Sequence, residues 1–192
     1  MSKGRLEAFS DGVIAVVITI MVLEMKPPHS PSVAALLASA PAFLAYVLSF
    51  VFVGIYWNNH HHLMHAVHHV NGSILWANLH LLFWLSLAPF VNAWMGENHL
   101  APVPVAAYGI VLLCAGIAYF VLTRVLLSAH EKDSRLAKAL GNDFKGKASV
   151  LIYAAAVPTA FVHPLISCLL YVSVLIMWLI PDRRFEKVLT AP

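Results

Sequence analysis

An apolar stretch long enough to cross a bilayer, Arg5 to Glu24 (RLEAFSDGVIAVVITIMVLE), carries Arg5, Ser10 and Asp11 at its start. An ionised Asp or Arg inside the hydrocarbon costs about 2.5–3.5 kcal/mol even on the lenient insertion scale. A chain accepts that penalty only where the charges are paired or face water or protein. Such residues either mark a path for ions or protons, or sit at the headgroup level and cap the helix. Both readings require a helix that spans a membrane.

The remaining sequence has the same character. Of 192 residues, 60% are hydrophobic and 11% charged, where a soluble domain carries about 25% charged residues; mean hydropathy is +0.79. Long apolar runs predict an all-α polytopic membrane protein, since a membrane β-barrel would show short alternating segments. No polar stretch is long enough for a separate soluble domain, so residues 1–192 are expected to form a single domain with six transmembrane helices. The spans fall at about 9–25, 33–57, 73–94, 105–127, 148–162 and 165–180. Pro41 is expected to kink the second, Pro89 comes late in the third, and Pro158 lies in the fifth. Lys26-Pro27-Pro28 stops the first, and a histidine-dense polar connection, Asn58 to His69, follows the second. Gly96 to Pro104 reads as a short turn, and Glu131 to Leu140 as a short surface helix in the charged fourth connection. The first apolar run lacks a small-residue cleavage site and does not read as a cleavable signal peptide. Cys114 and Cys168 fall in apolar runs and read as small buried hydrophobes.

Lysine and arginine placement sets the orientation. With both termini inside, Lys3, Arg5, Arg124, Lys132, Arg135, Lys138, Lys145, Lys147, Arg183, Arg184 and Lys187 lie inside, which is 11 of the 12 basic residues, and Lys26 alone lies outside. The positive-inside rule therefore places both termini in the cytoplasm and favours an even number of spans. The basic balance reports topology, and no nucleic-acid partner is implied.

On a helical wheel at 100° per residue, Gly12, Val16, Thr19 and Leu23 fall within about 40° of Arg5, with Phe9 and Ile20 beside them. Ser10 and Asp11 point well away, toward neighbouring helices. The stripe suits close packing through small residues. If copies of the helix surround an axis, it instead forms rings of Val16, Thr19 and Leu23, each about one turn apart. Apolar rings gate by dewetting, and a threonine ring replaces part of an ion's hydration shell. A TVGYG filter, an Arg-rich voltage sensor, and GxGxxG, P-loop and HExxH patterns are all absent from the sequence.

Arg5-x-x-x-Phe9-Ser10-Asp11, followed by Gly12-Val13-x-Ala15 and ending in Leu23-Glu24, resembles the signature of the transmembrane protein 175 family. Trp57 ahead of a His-His segment, and Leu75-Trp76-x-Asn78-Leu79 at the start of the third span, extend the likeness. These are potassium-permeable channels without a P-loop, endolysosomal in animals and in the plasma membrane in prokaryotes. The resemblance implies a prokaryotic homotetramer, permeant potassium and no cofactor, with the pore lined by the first helix. It implies a hydrophobic constriction at Val16, a hydroxyl layer at Thr19 and a further ring at Leu23. Val16 is shorter than the Ile or Leu usual there, which widens the constriction. The motif Arg5 and Asp11, with Phe9 and Ser10, are then held by a network to the second and third helices. The candidate partners are Trp57, His60, His61, Asn78 and His80.

Six of the eleven histidines lie between His60 and His69. His61 and His65 are i, i+4, as are His65 and His69, so one helical face suits zinc or copper. No Cys or acidic residue joins them, and solvated, network-forming or pH-responsive histidines fit equally. The reading adopted is a non-enzymatic channel with no bound metal. The alternatives are a b-type haem or metal oxidoreductase using the His60–His80 region, and a proton-coupled transporter using Asp11.

Overall fold

The computed structural model describes residues 2–65, 67, 69–129 and 143–179. The charged connection at 130–142, with the surface helix expected over Glu131 to Leu140, and the basic end from Pro181 onward lie outside the described residues. Those described fold into α1 (Lys3–Leu23), α2 (Val33–Ala38), α3 (Ala40–His65), α4 (Gly72–Ser86), α5 (Ala88–Glu97), α6 (Pro102–Ser128), α7 (Phe144–Thr159) and α8 (Pro164–Leu179).

The helix ends follow from local chemistry. α1 begins at Lys3, two turns before the apolar run, because Lys3, Leu6, Glu7 and Ala8 are good helix formers and Lys3 pairs with Glu7 at 3.8 Å one turn on. Ser32 caps α2 by accepting from Ala35 N at 3.2 Å, and Asn71 caps α4 by accepting from Ile74 N at 3.0 Å. Pro41 divides the second apolar run at Ser39 into α2 and α3. It lies in the first turn of α3, where its missing N–H costs nothing. The histidine-dense stretch differs from expectation: Asn58 to His65 remain helical as the last two turns of α3. Histidine is only mildly unfavourable in a helix, and no Gly or Pro intervenes to stop it. Pro89 divides the third apolar run at Leu87 into α4 and α5, and Pro102 and Pro104 open α6.

Among the described residues, four segments are long and apolar enough to cross a bilayer: Lys3–Leu23, Ala40–His65, Gly72–Glu97 (α4 and α5 together) and Pro102–Ser128. α7 and α8 have 16 residues each, short of the roughly 20 that a perpendicular span needs. α6 packs against α4, α5, α7 and α8, while α1 lies on α3, α4 and α5. The core between them holds Ile14, Val17 and Met21 of α1, Val53 and Leu63 of α3, Leu81 and Leu85 of α4, and Ala115 and Leu122 of α6.

Buried polar groups fasten the bundle. Ser49 donates to Asn92 Oδ1 at 2.9 Å and, its own proton so committed, accepts from Tyr108 Oη at 2.9 Å, joining α3, α5 and α6. Tyr171 Oη donates to Val105 O at 3.0 Å across α8 and α6. That crossing needs Gly109, where a Cβ would collide with the Tyr171 hydroxyl.

Candidate functional site

α1 is packed on one side only. Leu6, Ser10, Ile14, Val17 and Met21 recur at helical spacing on its buried face. The opposite face carries Arg5, Phe9, Gly12, Val16, Thr19, Ile20 and Leu23, all exposed on the single chain. Val16 is 54% and Leu23 79% exposed, against 1% for Ile14. Thr19 Oγ1 donates to Val16 O at 2.9 Å. Its proton is therefore spent on the helix, and its oxygen lone pairs are left to face outward.

The buried face carries a polar relay. Asn78 of α4 donates its amide to Ser10 Oγ at 2.9 Å, and Ser10 donates to Leu6 O at 2.8 Å within α1. The Asn78 carbonyl oxygen lies 2.7 Å from His60 Nε2 of α3. An amide oxygen only accepts, so His60 carries its proton on Nε2 and donates. All three side chains are at most 1% exposed, and a buried amide with both ends satisfied fixes the spacing of α1, α3 and α4.

Asp11 lies at the edge of this face, half-buried, and accepts from Trp57 Nε1 of α3 at 3.0 Å. His61 stacks on the Trp57 ring at 6.1 Å between centroids and 28° between planes. Lys3 Nζ donates to His65 O at 3.2 Å, a further link between α1 and the end of α3. The other sequence candidates lie apart. His80 is exposed and accepts from Trp84 Nε1 at 3.0 Å one turn along α4. Arg5 is exposed, and no side-chain hydrogen bond or ion pair of its own occurs among the described residues. Asp11 and Ser10 are thus anchored separately, Asp11 to α3 and Ser10 to α4.

Beyond Leu23, Lys26 pairs with Glu97 at 2.6 Å and ties the end of α1 to the end of α5. The hydrogen bond and charge of Glu97 hold the Lys26 ammonium above its usual range. Among the described residues, no three His, Cys, Asp or Glu side chains converge to hold a metal ion.

The chain is similar to a potassium channel of Chryseobacterium sp., 54% identical over 187 residues, covering 97% of each chain. A family model described as "Endosomal/lysosomal potassium channel TMEM175" matches residues 5–89. The chain belongs to the TMEM175 family. A potassium channel of Streptomyces collinus is 35% identical over 125 residues, 61% of each chain. The crystal structure of a lysosomal potassium-selective channel TMEM175 homolog from Chamaesiphon minutus superimposes with a TM-score of 0.82 at 27% identity, covering 94% of this chain and 97% of that one. The TMEM175 match runs from α1 into the start of α5, and so contains every residue of the relay, the Trp57 contact and the exposed stripe.

Two features outside the motif were not legible in the sequence. The Ser49–Asn92–Tyr108 cluster joins residues far apart in the chain with no shared pattern, and the Lys26–Glu97 pair links two residues that each read as ordinary loop charges.

Proposed function

We propose that this TMEM175-family chain is a potassium-permeable cation channel, a homotetramer in the plasma membrane of a prokaryote with both termini cytoplasmic. In this reading residues 1–192 form one domain of six spans, with α7 and α8 completing the four longer ones. Four copies of α1 surround the conduction axis. Val16 and Leu23 form hydrophobic rings, and Thr19 supplies a layer of hydroxyl oxygens between them. Arg5, Phe9, Ser10 and Asp11 lie at the base of the same helix, where Trp57, His60, His61 and Asn78 hold its position.

The observation that carries this reading is the two-sidedness of α1. A bilayer-length helix spends its polar groups, Ser10 and Asp11, on its own neighbours, and leaves Val16, Thr19 and Leu23 uncovered. Val16 and Ile20 also line an open groove facing Phe90 and Trp94 of α5, where a neighbouring protomer would pack. Close relatives named as potassium channels support the choice of ion.

The mechanism then follows from ring chemistry. An apolar ring narrow enough to dewet blocks ions without a moving plug. A cation that passes it loses part of its water, and the Thr19 oxygens, whose protons are turned back to Val16 O, replace some of those ligands. The test is the reversal potential of reconstituted protein in asymmetric potassium and sodium. A shift toward the potassium equilibrium potential is expected; a silent protein, or one equally permeable to both ions, would refute potassium preference.

A further inference from the structure

We infer that His61 and His65, at the end of α3, form a two-histidine site for a divalent transition cation such as Zn2+, Ni2+ or Cu2+. The two residues are one helical turn apart and both are exposed. Their ring centroids lie 5.5 Å apart and their planes are inclined by 30°. A single ion bonded to a nitrogen of each ring at about 2.0–2.1 Å bridges that gap with a small rotation of exposed side chains. Imidazole selects zinc, nickel and copper over magnesium and calcium, which prefer oxygen.

The site has two protein ligands, and water fills the remaining positions, so it binds reversibly and is not a structural centre. The Lys3 ammonium, which donates to His65 O at 3.2 Å, also pairs with Glu7 at 3.8 Å, and the Glu7 carboxylate offsets its repulsion of the metal. The position of the pair gives binding a consequence. His61 stacks on Trp57, and Trp57 holds Asp11 of α1. A metal that fixes the His61 ring therefore alters the surroundings of the one indole that joins α3 to α1. This is separate from the exposed stripe of α1 and from the ion that passes along it.

The test uses full-length protein purified through a histidine-free tag and titrated with nickel chloride, read by calorimetry and by tryptophan fluorescence. One site per chain and a fluorescence change are expected. His61→Gln and His65→Gln should each weaken binding by about tenfold or more, while His29→Gln, on the exposed loop after α1, should leave it unchanged. Trp57→Phe should keep the heat of binding and lose most of the fluorescence change. Absence of nickel binding, binding unaltered in both histidine variants, or equal binding of magnesium would overturn the site. Persistence of the full fluorescence change in Trp57→Phe would overturn the coupling to α1. None of these readouts depends on ion conduction.

Discussion

The indole N–H of Trp57 lies 3.0 Å from the Asp11 carboxylate and donates to it, so the second long helix grips the first at the edge of its buried face. One residue earlier on the chain, Ser10 accepts from Asn78 at 2.9 Å. α1 is thus clamped from two directions near its base, while the turns beyond carry no polar tether among the described residues until Lys26. The clamps matter because Val16, Thr19 and Leu23 stand on the same rigid rod.

Removing the Trp57 donor should loosen that rod. Trp57→Phe keeps a ring beneath His61 but cannot donate to Asp11. Interhelical hydrogen bonds in membranes average about 0.6 kcal/mol and reach about 1.7, which corresponds to a ~3- to ~20-fold change in an equilibrium. Basal potassium flux from proteoliposomes should rise within that range. Asp11→Asn, which keeps an accepting oxygen, should change it less.

The Asn78 amide should matter more for stability. Asn78→Ala takes the acceptor from the buried His60 Nε2 and the donor from Ser10 Oγ, which keeps only its bond to Leu6 O. A loss of about 1–3 kcal/mol is expected, seen as a lower unfolding midpoint in detergent. Lys26→Ala is the contrast. Its partner raises the folded pKa, so any contribution is complete below the ordinary value of 10.5 and fades only as pH climbs past the raised value. The pair is exposed to solvent, and the midpoint at neutral pH should not move.

Polar substitutions in the stripe should act on conduction and not on folding, because the side chains are exposed on the single chain. Val16→Asn or Leu23→Asn should wet the rings and raise potassium leak in flux assays. Thr19→Val removes the only hydroxyl of the stripe and should lower potassium discrimination, with Thr19→Ser restoring it. Unchanged currents in both asparagine variants would count against these rings.

Gly109 tests the packing of α6 on α8. Gly109→Ala places a methyl against the Tyr171 hydroxyl, which is held by Val105 O. Overpacking of this kind costs about 1–3 kcal/mol. Thermal unfolding should occur earlier, and Tyr171→Phe in the same background should recover part of the loss.

The sequence announced what depends on local pattern. The wheel of α1 separated Ser10 from Val16, Thr19 and Leu23 because a straight helix repeats every 3.6 residues, and the motif residues pointed to the right family. Helix ends were less legible. Apolar content could not show that α1 starts at Lys3, or that α3 runs on through four histidines to His65, since helix propensity tolerates polar residues that hydropathy penalises. Pro41 and Pro89 were visible as breaks, but proline spelling alone does not distinguish a kink from a first turn. Partner choice was illegible. Trp57, His60, His61, Asn78 and His80 stood as equal candidates, and only the packing of α3 and α4 on α1 gives Trp57 to Asp11, Asn78 to Ser10, and His80 to Trp84.

The most direct test asks whether the exposed stripe of α1 meets the permeating ion. In a background with Cys114 and Cys168 replaced by Ala, a cysteine is placed by Val16→Cys or Leu23→Cys, and separately by Leu151→Cys on the exposed side of α7. Potassium flux is then measured before and after a water-soluble, positively charged thiol reagent. Rapid block at positions 16 and 23, with none at 151, is the predicted result. Full flux after modification at position 23, or block only at position 151, would place the conduction path elsewhere.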